Sequence, residues 1–104
     1  MSMTVVVVRD VPSRFRGFLA SCMLEIAPGV YTSPQLNPAV RERIWKVLSE
    51  WYRYQRRGGI VMTWAEPASP CGQDVAFLGD PPKYLVVKDA MILAHRTYTA
   101  DPGG

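Results

Sequence analysis

The apolar positions of this chain change period several times, and each change marks a new element. Residues 3–8 form an unbroken, mostly β-branched run, Met-Thr-Val-Val-Val-Val. Such a run predicts a central strand covered on one face or both. Val11, Phe15, Phe18, Leu19, Cys22 and Met23 then follow at i, i+4, i+7, i+8, i+11 and i+12. That spacing is one apolar helical stripe, and Pro12 suits its first turn. On this pattern Cys22 is a small core residue. Gly17 lies off the stripe, where a helix would prefer alanine, and leaves room for a close approach to the backbone.

Residues 24–27 and 30–32 flank Pro28-Gly29, which predicts a short hairpin. Residues 33–38 read as a loop. Asn37 suits an N-cap and Pro38 the first position of a second helix, which runs to about Arg57. Its buried stripe is Val40, Ile44, Val47, Leu48 and Trp51, widened by Trp45 and Tyr52. Arg53, Arg56 and Arg57 load its last turns, favourably for the helix dipole, and Gly58-Gly59 stops it. Residues 60–66 and 73–79 read as strands joined by a turn-rich loop, 67–72. Residues 83–95 hold one or two further extended pieces, and 97–104 read as a frayed tail.

The order strand-helix-strand-strand-helix-strand, with additional C-terminal strands, is the ferredoxin-like pattern. It predicts an α+β domain over residues 1–96, an antiparallel sheet with two helices on one face. In the strand 60–66, Met62 and Trp64 alternate with Val61 and Thr63, so apolar side chains point to both faces. The face without helices must meet something apolar. A second copy is the economical answer, giving a homodimer.

Composition agrees with a folded module. The 104 residues are 48% apolar and 20% charged, enough for a core and too few charges for a disordered chain. The net charge of +3 is only mildly basic, but it is unevenly spread. It gathers in residues 1–20 and 38–58, the two predicted helices and their flanks, whereas residues 59–104 are net acidic. Cys22 and Cys71 form no Cys-x-x-Cys pair and there is one histidine, which argues against a thiolate zinc site. No charged leader precedes the first apolar run, and no apolar run approaches the ~20 residues of a membrane span. The expectation is a reduced, cytoplasmic protein without membrane contact.

Candidate chemistry centres on the residues after the first strand. Arg9 and Asp10 sit at its mouth, and Arg14 and Arg16 in the first turns of the helix. At about 100° per residue those two arginines are about 200° apart and cannot share a face. They are either solvated surface charges or a ridge that contacts a phosphate backbone. Asp10 either caps the helix or binds Mg2+, with two copies meeting across a dimer axis. No neighbour in sequence supplies a second carboxylate. His95 has no acidic or thiol partner in sequence and reads as structural. Trp45, Trp51 and Trp64 read as packing. There is no glycine-rich phosphate loop, and "IVMTWAE" lacks the aromatic pair of an RNA-recognition motif.

Three stretches carry a resemblance. "MSMTVVVVRDVPSRFRGFLASCMLEIAPGVYTS", "VRERIW" and "GGIVMTWAE" resemble the small CRISPR-associated protein of the spacer-acquisition complex, the Cas-two family in its subtype I-E form. The resemblance implies a ferredoxin-like homodimer seated between two dimers of the Cas-one integrase, bracing captured double-stranded DNA. It places Arg14 and Arg16 where relatives grip the DNA backbone, and residues 84–96 where they dock on the integrase. Arg9 and Lys83 are further nucleic-acid-binding candidates. The family is also described as a Mg2+-dependent endoribonuclease or deoxyribonuclease, which makes Asp10 the catalytic and metal candidate. Two departures bear on this. Relatives tend to carry the acid at the position of Arg9, and adjacent strand residues face opposite ways, so Asp10 is expected off the dimer cleft. Relatives often carry paired arginines near "GDPPKYL", where this chain offers Lys83. Three functions therefore compete: a DNA-binding scaffold, a metal-dependent nuclease, and a plain interaction module.

Overall fold

In the computed structural model, residues 2–79 are described throughout and residues 84–88 and 91–95 as strands. The elements are β1 (Ser2–Arg9), α1 (Ser13–Cys22), β2 (Leu24–Ala27), β3 (Val30–Leu36), α2 (Pro38–Tyr54), β4 (Gly59–Ala65) and β5 (Gln73–Leu78). β6 (Tyr84–Lys88) and β7 (Met91–His95) pair with each other as an antiparallel, two-stranded sheet. The main sheet has the order β2-β3-β1-β4-β5, and every pair in it is antiparallel. This is the ferredoxin-like α+β fold with one strand added beside β4. The expected tail, 97–104, lies outside the described residues.

Alternation along β1 decides which face is covered. Thr4, Val6 and Val8 are buried, and their partners Tyr31, Met62 and Ile60 are buried with them. Phe15 and Leu19 of α1 and Ile44 and Leu48 of α2 close the core over that face. The opposite face is apolar and open. Val7 is 41% and Phe77 43% exposed, and Val7 pairs with Val30 and Val61. The valine run is thus covered by its own helices on one face only.

Several boundaries differ from the sequence expectation. Residues 33–36 are not a loop but the end of β3. Thr4 pairs with Ser33 and Ser2 with Leu36, so Pro34 and Gln35 bulge opposite Met3. Proline is tolerated there because β2 ends short and pairs only with residues 30–32 of β3. The start of α2 follows expectation: the Asn37 side chain accepts a hydrogen bond from Ala39 N at 2.7 Å, with Pro38 beside it. Its end does not. α2 stops at Tyr54, so Arg53 alone of the three arginines lies in the last turn. The chain must leave the helix early to bring Gly59 alongside Arg9 in the sheet.

The α1 stripe is narrower than predicted. Val11, Phe15, Leu19 and Met23 are buried, whereas Cys22 is exposed on the flank. It is not a core residue. The thiol lies against a groove between the helices, and that partial burial pushes its pKa up. In α2, Val40 is exposed and Val47 half-buried. A Cβ at Gly17 would meet nothing within 4 Å, so no described group approaches it.

Tyr31 Oη, Thr4 Oγ1 and Trp64 Nε1 are buried without a hydrogen-bond partner among the described residues. An unpaired buried hydroxyl costs about 1–3 kcal/mol. Tyr31→Phe is therefore expected to raise the unfolding free energy by about 1 kcal/mol at neutral pH. Burial, then the charge of nearby Glu25, raises the Tyr31 phenol pKa. The fold thus favours the neutral phenol. Its contribution is complete below about pH 10 and is lost as pH climbs from there toward the raised value. Denaturant titration of parent and Tyr31→Phe at pH 7 and pH 11 checks both signs. The variant should lose less stability at the higher pH.

Candidate nucleic-acid interface

β1 delivers its last residue, Arg9, to the edge of the sheet, and the chain turns at Asp10. Asp10 has φ 59°, a left-handed conformation that Asp tolerates better than most residues. The turn breaks strand alternation. Arg9 and Asp10 both border one cleft of the single chain. Nor does Asp10 cap α1. The N-cap position is Pro12, with no side-chain cap.

The α2–β4 connection holds this turn. Arg57 Nε donates to the Asp10 carbonyl at 3.1 Å, while its Nη2 lies 3.5 Å from Val11 O, too long to add much. Gly58 has φ 82°, and a Cβ there would overlap the Arg9 carbonyl oxygen. Tyr52 Oη donates to Gly58 O at 2.9 Å. Gly79, at the end of β5, would collide with Gly58 O if it carried a side chain. The result is a cleft of about 320 Å3 lined by Arg9, Asp10, Tyr52, Arg56, Gly58, Gly59 and Gly79.

The second feature is the α1 ridge. The Arg14 guanidinium sits 3.9 Å over the Trp51 ring of α2. Trp51 is itself wedged by edge contacts from Phe15 and Phe18, at centroid distances of 5.6 and 5.4 Å. A guanidinium stacked on a ring keeps its in-plane N–H edge free for an oxyanion, and stacking limits its rotamer freedom. Arg16 is exposed on the other flank, near enough to Tyr31 for its charge to pull that phenol's pKa down. The two arginines do point apart, as their spacing predicts. Trp51 is a platform as well as packing.

Arg41 is a buried member of the basic segment 38–58 that the sequence expectation did not single out. It is only 7% exposed, with its guanidinium 4.3 Å over Trp64. The signal was legible: Arg41, Ile44 and Leu48 share the helical spacing of the buried stripe. Lys83 lies outside the described residues, and of His95 the structure gives its place as the last residue of β7.

A single chain offers Mg2+ a poor donor set. Among the described cleft residues Asp10 is the one carboxylate, and Arg9 and Arg56 border the same cleft. Two cations beside a lone carboxylate oppose a third. Among the described residues, no three His, Cys, Asp or Glu side chains gather.

Fold and site together define a class: a ferredoxin-like domain with an open apolar sheet face and arginines gathered at the end of its central strand. A family model described as CRISPR-associated protein (Cas_Cas2CT1978) matches residues 3–93, and the chain belongs to that family. The protein is therefore CRISPR-associated and of Cas-two type. No helix among the described residues is long and apolar enough to cross a membrane.

Proposed function

We propose that this protein serves spacer acquisition as a non-catalytic scaffold: a cytoplasmic homodimer that braces double-stranded DNA for the Cas-one integrase, in the manner of subtype I-E. The observation that carries the reading is Arg14, stacked at 3.9 Å on Trp51 and thereby pre-set to present a donor edge to a phosphate. Family membership supports it. So does the open sheet face, whose Val7 and Phe77 a second copy would cover. Residues 84–96 are the integrase-docking segment in this reading.

The test is Arg14→Ala combined with Arg16→Ala, measured as duplex affinity of the integrase complex across a salt series. Affinity should fall, and the slope of log affinity against log salt should flatten by about 0.9 for each phosphate no longer neutralised. An unchanged affinity and slope would overturn the proposal. A pull-down of the integrase with the unaltered chain separates a scaffold from a plain interaction module, which would capture none.

A further inference from the structure

We propose that the cleft at the end of β1 is a phosphate-binding site, not a metal site. Two exposed arginines, Arg9 and Arg56, border it together with the exposed Asp10. Among the described residues that border the cleft, that is one more arginine than carboxylate. Gly58, Gly59 and Gly79 border it without side chains, and at Gly58 and Gly79 the packed backbone admits none. Tyr52 Oη is fixed at the rim by donating to Gly58 O. A tetrahedral oxyanion suits this arrangement, because each guanidinium offers a planar fork of donors that pairs with two phosphate oxygens. At about 320 Å3 the cleft has room for a phosphate group together with part of what it esterifies. The inference rests on the proposed nucleic-acid role only for the source of the phosphate.

Asp10 gives the inference its sharpest test. A carboxylate in a phosphate site repels the ligand, whereas a carboxylate in a metal site holds it. Asp10→Asn removes the charge, and asparagine accepts a left-handed φ at least as well as aspartate, so the turn survives. Inorganic phosphate is titrated into 15N-labelled protein at constant ionic strength, following the Gly58, Gly59 and Gly79 amides. The expected result is a saturable shift. It should weaken more than about tenfold when Arg9→Gln is combined with Arg56→Gln, since both charge-assisted donor forks are then removed. It should tighten about fivefold in Asp10→Asn, the effect of one unit charge at about 4 Å in watery surroundings. Both arginines are exposed, so their replacement leaves the core intact.

No saturable shift, an equal shift in the double variant, or weaker phosphate binding in Asp10→Asn would each overturn the inference. So would saturable Mg2+ binding that Asp10→Asn abolishes. A duplex titration of the Arg9→Gln, Arg56→Gln variant then assigns the source. Weakened duplex binding with a flatter salt slope points to the DNA backbone. Unchanged duplex binding, with the phosphate response intact in the parent, upholds the site and assigns it a free or terminal phosphate. Failure of the Arg14 and Arg16 test would leave the phosphate shift untouched, so the two proposals fail separately.

Discussion

Gly58→Ala is expected to lower the melting temperature by roughly 15–25 °C, and Gly58→Val to leave little folded protein. At φ 82° a side chain costs about 1–2 kcal/mol by itself. Overlap with the Arg9 carbonyl oxygen and close approach to the Asp10 backbone add an overpacking cost of about 1–3 kcal/mol. Neither neighbour can yield, because both are main chain in the turn that Arg57 fixes. At about 4–8 °C per kcal/mol for a domain of this size, the sum is a large share of its stability. Gly17→Ala is the matched control. It lies in α1 with nothing within 4 Å of the added methyl, so it should stabilise by about 0.5–1 kcal/mol. Thermal unfolding of both variants decides the matter. If Gly58→Ala melts with the parent, the tight backbone stack at the end of β1 is wrong.

Val7→Glu is expected to abolish the proposed dimer while sparing the fold. Val7 lies mid-strand on the helix-free face, between Val30 and Val61, and is already 41% exposed in a single chain. A carboxylate there reaches water when the chain is alone. In a face-to-face pair it would be buried twice, at several kcal/mol per unpaired charge. Dimer affinity should therefore fall by more than about a thousandfold, a change of about 4 kcal/mol. Sedimentation of the parent should show twice the chain mass and the variant the chain mass, with matching far-UV circular dichroism. A monomeric parent, or a variant that still runs at twice the chain mass, would remove the apolar sheet face from the account.

Much of this fold is legible in the sequence because local and global signals agree. The valine run, the Pro28-Gly29 hairpin and the Asn37-Pro38 helix start each have one low-energy interpretation, and each forms as read. The misses share a cause: a residue whose neighbour in space lies far away in sequence. The 33–38 segment resembles a loop until β1 pairs with it and absorbs Pro34 in a bulge. α2 ends early because Gly59 must meet Arg9, far earlier in the chain. Arg41 is buried by an aromatic face that β4 supplies. The site is half legible. The spacing of Arg14 and Arg16 predicts their divergence, but not the ring under Arg14. Strand alternation assigns Asp10 to the face away from Arg9. One left-handed residue undoes that alternation, and no period in the sequence announces it.

Pro34 carries a consequence for the exposed rim of β3. Beyond Thr32, β3 has no β2 partner, so its outer rim is the kind of unpaired ladder on which a foreign strand can grow. Proline offers no amide there, and the kink at residues 34–35 bends the rim out of line. Growth of a foreign strand is disfavoured at that border.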